Sequence, residues 1–483
     1  MDYRTPFWDK RERILIVRMW DIIFEKAAAS LPGRLAEVER EQREKIGPIS
    51  LRKPLSARMP EILGYFNNAW PSVDLEAETI QLTDDLRLNQ RLRPLSHQSA
   101  AEELAWNTNS GYPSFTRRKL VVEEGVEDAI SGKYLDYPAV LGWRGTASGM
   151  EKEPKQRTVW MMPMSFNVRE MAYFRPIQRL KLQNASYLSA WTTPETVDAA
   201  VQVFLRACKE AGCRTLSTDF SSFDQSVGPS LQYWSFLLKK RAFQEEFYED
   251  LSVLEQHFST ISLMIGQANV LSGVHGVPSG SVFTNDLDGD VHRLAQLYVA
   301  RRWGTSLVEG CQVQGDDGLI GTRSNVDSDR ITLAYRELGL SASAEKQFEG
   351  VDDCMYLQRY HKLGYSGGMY STYRALNSLL GQERFYDPEI WGADMVTLRA
   401  IMILENCKHH PLHRELVHFV QSGDALRLGA AYLGGIDALL GNRDLLSRAR
   451  GLAGFVPSYN QEDRIGGVRN FATYKIIKES ENA

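Results

Sequence analysis

The 483 residues include only five cysteines, at positions 208, 213, 311, 354 and 407, and no two form a Cys-x-x-Cys pair. That scarcity excludes a disulfide framework and a sulfur-based zinc site as organisers of the chain, and it suits a reducing, intracellular setting. The chain also lacks the uncharged apolar run of about 18 residues that a membrane-spanning helix needs. Its first dozen residues include Asp2, Arg4, Asp9, Lys10, Arg11 and Glu12, which denies them the apolar centre of a secretory signal. Positive charge is not in excess either. With a formal net charge of −5, any nucleic-acid surface must be a local basic patch. Internal repeats and low-complexity tracts are missing. What remains, 43% hydrophobic and 24% charged residues, is the composition of a folded, soluble protein, long enough for two or three substructures around a cleft.

Apolar positions Ile14, Leu15, Val17, Met19, Ile22 and Ile23, followed by the charged stretch Arg34 to Lys45, predict helices over 12–45. Breaks at Pro48, Pro54, Pro60 and Pro71 then predict an extended segment that wraps another lobe. A helix is expected over 198–210, stopped by Gly212, with a strand from Arg214 to Phe220 behind it. Residues 230–254 and 284–302 have helical spacing, 261–280 read as a glycine-rich loop, and the chain after about 373 reads as helices broken near Gly423, Gly434 and Gly451.

Chemistry concentrates on two carboxylate clusters. In the strand, Leu216 and Phe220 alternate with Asp219, which therefore leaves the buried face at the strand's end, and Asp224 follows five residues on across a turn. Further on, Leu307 to Gln314 and Leu319 to Thr322 read as the arms of a hairpin whose tip is Gly315-Asp316-Asp317-Gly318. Adjacent aspartates at a turn repel one another unless a cation sits there, and their hard oxygens suit Mg²⁺. Either cluster alone is an ordinary turn, since Asp and Gly are the commonest turn residues. Their order carries the signal: Asp-x-x-x-x-Asp, then Ser279-Gly280-x-x-x-Thr284, then Gly-Asp-Asp in a hairpin. Ser279 and Thr284 also read as helix caps ahead of the apolar run from Leu287.

This ordered set resembles the palm motifs of viral RNA-dependent RNA polymerases. It reads Asp219-Phe-Ser-Ser-Phe-Asp224, Gly276-Val-Pro-Ser-Gly-Ser-Val-Phe-Thr284-Asn285 and Gly315-Asp316-Asp317. The wording is most similar to picobirnavirus and partitivirus enzymes of small double-stranded RNA viruses. Four outer segments agree. Thr108-Asn-Ser110-Gly111-Tyr-Pro113 resembles a template-entry loop. Lys152, Lys155 and Arg157 match the basic fingers strand over the incoming triphosphate. Lys346 matches a palm lysine, and Cys354 to His361 resembles a primer-grip hairpin.

The resemblance implies an α+β right-hand polymerase, helix-rich, with an antiparallel palm sheet and an N-terminal fingertip arm. The implied parts are an arm over 1–70 bridging fingers and thumb, fingers over 71–210 and 231–272, palm over 211–230 and 273–372, and thumb over 373–483. It implies nucleotidyl transfer to a 3′-hydroxyl, with two metals, Mg²⁺ or Mn²⁺, held by Asp219 and Asp316. Asp317 is then a supporting ligand or orients the primer end, and Lys346 a general acid for pyrophosphate. Asp224, with Ser279, Gly280, Thr284 and Asn285, reads the ribose 2′-hydroxyl. Many family members have Asn where this chain has Asp288, which leaves Asn285 and Asp288 as alternatives for that task. Lys152, Lys155 and Arg157 bind phosphate, while from Arg169 onward the basic residues read as a solvated helix face. Implied partners are RNA template and product, NTPs and a capsid protein. The implied setting is a monomer in the virion interior and host cytoplasm. The rival readings are a reverse-transcriptase-like polymerase and a non-catalytic RNA-binding virion protein.

Overall fold

Four residues, Thr215–Thr218, form a strand with antiparallel neighbours on both sides, and all four are buried. With both edges paired, the backbone polar groups of this short segment need no water, so it can sit in the interior. The computed structural model that shows this describes residues 2–442, 445 and 467–481, except 151, 268, 344, 346, 385–388 and 390. The chain divides into two compact units. One comprises Met1–Lys53, Arg144–Arg157 and Gln358–Ala483, the other Pro54–Trp143 and Thr158–Leu357.

In the second unit the central sheet runs Gln312–Gln314, Asp317–Ile320, Thr215–Thr218, Phe348–Gly350, antiparallel throughout. The helix Thr284–Arg302 packs against it. Buried Gln296 donates to the Gln312 and Leu319 carbonyls, both at 3.1 Å, so one amide ties the helix to both hairpin strands. The hairpin arms are shorter than expected, with an isolated Leu307–Thr322 bridge continuing the pairing beyond them.

The helix Pro194–Ala211 ends, as expected, on Gly212 in the left-handed conformation (φ +66°). The helical stretch expected over 230–254 is instead two helices, Pro229–Ala242 and Tyr248–Thr260, separated by a 3₁₀ turn at Glu245–Phe247. Within the expected 261–280 loop, Leu263–Met264 and Val270–Leu271 pair as short strands, and Leu263 also pairs in parallel with Ala139.

The solvated face expected from Arg169 onward holds for exposed Arg179 but not for Arg169, Arg175 or Lys181. On the helix Met164–Asn184, Arg169 pairs with Asp250, and Arg175 and Arg179 both reach Glu103. Lys181 is fully buried, with its ammonium 2.5 Å from both Asp286 and Asp290. Lys239 completes a neutral quartet at 2.8 Å from Asp286 and 3.4 Å from Asp290. Burial alone would lower the Lys181 pKa, but the two aspartates outweigh it and hold the group charged.

In the first unit the helices Arg13–Ala27 and Leu35–Glu44 accompany the helix Thr372–Leu380. Buried Glu39 accepts from Ser371 Oγ and the Thr372 amide, each at 2.7 Å, placing negative charge at that helix's N-terminus. His410 lies 2.8 Å from the same carboxylate. The helices Ala393–Glu405, His413–Gly423, Gly435–Gly441 and Ala472–Glu481 follow, with the expected breaks at Gly423 and Gly434. Gly451 lies outside the described residues. All five cysteines are free and buried, and no described helix is long and apolar enough to cross a membrane.

Candidate active site

The strand Thr215–Thr218 ends on exposed Asp219. Its pairs with the hairpin are Leu216–Ile320, Ser217–Leu319 and Thr218–Gly318, so one further step along the register sets Asp219 opposite Asp317. The hairpin turns through Gly315 and Asp316, with Gly315 at φ +58°, the left-handed geometry that suits a two-residue loop and glycine. Asp316 is therefore exposed at the tip, while Asp317 begins the returning strand and is half-buried. A β-carbon on Gly318 would lie 2.3 Å from His292 Cε1 and 2.7 Å from Thr218 Oγ1, so glycine is required there. His292 bridges the two acidic strands from below, its ring nitrogens lying 2.9 Å from the Gly315 carbonyl and 3.2 Å from Thr218 Oγ1.

After Asp219 the chain turns through Ser222 (φ +54°) into the short helix Phe223–Ser226, which carries half-buried Asp224. The Val277 amide donates to the Asp224 carbonyl at 2.7 Å, and a β-carbon on Gly276 would lie 2.3 Å from that oxygen. The turn bearing Asp224 and the start of the Gly276–Thr284 segment are thus fastened backbone to backbone. Within that segment Ser279 Oγ accepts from the Trp160 amide at 3.2 Å, and Thr284 Oγ1 donates to the Pro278 carbonyl at 2.9 Å. A β-carbon on Gly280 would lie 1.8 Å from the Trp160 carbonyl. Neither hydroxyl caps the helix Thr284–Arg302, whose N-cap is Phe283 with no side-chain cap. The capping expectation fails because both hydroxyls are spent on shaping the loop.

Asn285 is exposed and its carbonyl oxygen accepts from Gln314 Nε2 at 2.9 Å, which places it beside the hairpin tip. Asp288, one turn further on, is buried. Burial, then the charges of Asp224 and Asp316, push its carboxyl well above the usual carboxylate range, and among the described residues its Oδ1 has no hydrogen-bond partner. Asp224 and Asp316 thus bring their charge close to a buried carboxyl that burial and their own repulsion hold towards its neutral form. Among the described residues no three His, Cys, Asp or Glu side chains converge tightly enough to cage a metal by themselves. Asp219 and Asp316, both exposed, offer the hard carboxylate oxygens that Mg²⁺ takes alongside water and substrate phosphates.

Comparison with known proteins assigns the family. The family described as viral RNA-dependent RNA polymerase matches residues 64–409. A protein described as a potential RNA-dependent RNA polymerase, from human picobirnavirus (strain Human/Thailand/Hy005102/-), is 34% identical over 461 residues, covering 91% of this chain and 85% of that one. The chain belongs to the viral RNA-dependent RNA polymerases. The crystal structure of the polymerase of a human picobirnavirus superimposes with a TM-score of 0.88 at 30% identity, covering 99% of this chain and 94% of that one. Its insertion-loop deletion mutant gives 0.87 with the same identity and coverage. The fold is the right-hand polymerase fold, helix-rich with antiparallel sheets.

In this polymerase the remaining predicted residues fall as follows. The loop Thr108–Pro113 docks by its backbone: the Met164 amide donates to the Ser110 carbonyl at 2.8 Å, and Gly111 (φ +69°) lies where a β-carbon would meet the Met162 carbonyl at 2.4 Å. Thr108 Oγ1 donates to the Ala105 carbonyl, and Pro113 is exposed. Residues 160–164 are therefore a common support for this loop and for Ser279-Gly280. Lys155 and Arg157 share the exposed face of the strand Lys155–Met161, and Lys152 is exposed just before it. All three belong to the first unit. Lys346 lies outside the described residues. The strands Asp353–Tyr356 and Arg359–Lys362 flank Leu357-Gln358, both at positive φ.

Sequence reasoning missed Gln347. Its side-chain oxygen accepts from the Asp219 amide at 2.9 Å and its nitrogen donates to the Asp219 carbonyl at 2.8 Å, a reciprocal clamp on the backbone of the first carboxylate. No spacing rule exposes it, because the clamp exists only through the pairing of Phe348–Gly350 with Thr215–Ser217.

Proposed function

We propose that this polymerase copies viral RNA by two-metal nucleotidyl transfer from NTPs, with Asp219 and Asp316 holding the metals and Asp317 supporting them. One observation carries the reading: the strand register brings Asp219 to the hairpin that presents Asp316, whose charge reaches the buried Asp288 carboxyl together with that of Asp224. When bound, Mg²⁺ or Mn²⁺ would stabilise charge on the attacking and leaving oxygens. The protein's own share is positioning. Gln347 fixes the Asp219 backbone, while His292 and Gly318 fix the hairpin.

Asp224 accepts the ribose 2′-hydroxyl and Asn285 meets the sugar from the solvent side. Asp288, buried behind them, acts through its coupling to Asp224 and Asp316. Ser279, Gly280 and Thr284 hold the loop in shape. Lys152, Lys155 and Arg157 neutralise the triphosphate, Lys346 serves pyrophosphate departure, and Thr108, Ser110, Gly111 and Pro113 guide the template. Residues 211–230 and 273–372 make the palm, 71–210 and 231–272 the fingers, and 373–483 the thumb, with 1–70 bridging. The partners are RNA and NTPs, with a capsid protein enclosing a monomeric enzyme in the virion and host cytoplasm.

Incorporation of rNTPs and dNTPs opposite an RNA template tests the reading. The parent is expected to favour rNTPs, and Asn285→Ala to lower that preference by roughly tenfold, the equivalent of about 1.4 kcal/mol. A parent that prefers dNTPs would overturn it.

A further inference from the structure

The Ser279–Thr284 loop is also attached to the helix Met164–Asn184. Glu170, fully buried on the helix Met164–Asn184, accepts the Ser281 hydroxyl on one oxygen. On the other it accepts the Val282 amide at 2.9 Å and Asn167 Nδ2 at 3.1 Å. Asn167 Nδ2 also lies 3.3 Å from the Gly280 carbonyl, and its Oδ1 accepts from Arg118 Nη2 at 2.5 Å. Gly280, Ser281 and Val282 are thus gripped in succession by two side chains one helical turn apart. Arg118 is the charged group that faces the carboxyl across Asn167. Ser281 in turn accepts the Phe283 amide at 3.0 Å, passing the constraint to the residue that begins the Asn285 helix.

We propose that Glu170 is the positioning residue that sets the Ser279–Thr284 loop for ribonucleotide selection, an inference that rests on the role given above to Asp224 and Asn285. A fully buried carboxylate tied only to helix backbone would be a structural anchor. Here every tie runs to the loop, directly or through Asn167, and none to the metal carboxylates. Burial raises the carboxyl to about 7, against the pull of Ser281, Val282, Asn167 and Arg118. It therefore changes charge near neutral pH. The ionised form accepts all three hydrogen bonds with charge assistance, roughly twice as strong as neutral ones, so the loop is held tighter as pH rises through 7.

The test is steady-state incorporation of rNTPs and dNTPs on a primed RNA template from pH 6 to 8, using the full chain, Glu170→Gln and Ser281→Ala, beside Asn285→Ala. Glu170→Gln is expected to raise KM for rNTPs by roughly tenfold and to lower rNTP preference in proportion, with a smaller change in kcat. The parent's KM should fall between pH 6 and 8, and the Glu170→Gln profile should be flat. Ser281→Ala removes the same tie from the loop side, reports on it if Glu170→Gln folds poorly, and should give no further loss in the double variant. Parental KM, preference and pH profile in Glu170→Gln would overturn the inference. So would a loss confined to thermal stability. If Asn285→Ala lowers preference while Glu170→Gln does not, the ribose reading stands and Glu170 is only an anchor. If Glu170→Gln lowers preference and Asn285→Ala does not, the assignment of Asn285 fails and the positioning role survives.

Discussion

Gly318 shows how little space the active-site hairpin leaves. Its absent β-carbon is the gap that admits His292 and Thr218, so Gly318→Ala must displace the hairpin or the helix Thr284–Arg302. Overpacking of this kind costs about 1–3 kcal/mol, and nucleotide incorporation is expected to fall further than stability does. Comparing turnover with the denaturation midpoint separates the two. Gln347→Ala removes three hydrogen bonds, two to the Asp219 backbone and one to the Ser343 carbonyl, worth about 0.5–1.5 kcal/mol each. Because Asp219 is exposed, the loss should register mainly in kcat, and unchanged kcat would count against the clamp. Asp219, Asp224, Asp316 and Asp317 were legible because Asp-x-x-x-x-Asp and Gly-Asp-Asp in this order leave a pattern along the chain. Gln347, His292 and Glu170 were not, because each acts through a partner at least 23 residues away that only the fold brings near.

At the scale of elements, the helix Thr284–Arg302 is held by charge as well as by apolar packing. Lys181 and Lys239 neutralise Asp286 and Asp290 in the interior. Deleting one partner leaves an uncompensated buried charge, which costs about 3–5 kcal/mol. Lys181→Met is therefore expected to lower the unfolding free energy by that amount in chemical denaturation, and a change below about 1 kcal/mol would show the quartet to be dispensable. The helix was legible from Leu287, Val291, Leu294 and Leu297. Its charged anchor was not, since a lysine on a helix normally points to water. The split of 230–254 was also hidden, because no Gly or Pro stands between Ala242 and Tyr248 to mark it.

Across the molecule, the buried histidines govern the response to acid. Half-buried His257, packed on Tyr134 and Phe166, and fully buried His275 lie in the second unit, where desolvation lowers each to about 4 from an ordinary value of 6.5. Between those values the unfolded chain binds more protons than the folded one. Stability is therefore retained above pH 6.5 and lost as pH falls towards 4. Glu170 acts in the opposite sense, its raised carboxyl favouring the folded state as pH falls from 7 to its ordinary 4.5. Tm followed from pH 7 to 4 should decline, and Glu170→Gln should steepen the decline. A flat Tm in Glu170→Gln would contradict the histidine contribution, and equal slopes in the parent and Glu170→Gln would contradict that of Glu170. At this scale the family and the order of the motifs were readable, and the division into two compact units was not, because residues far apart in the chain meet within each.

The most direct test of the metal assignment is primer extension by Asp316→Asn with Mg²⁺ or Mn²⁺, alongside RNA binding by the same preparation. Incorporation is expected to be abolished while RNA binding stays close to that of the parent; incorporation equal to the parent's would contradict the metal assignment.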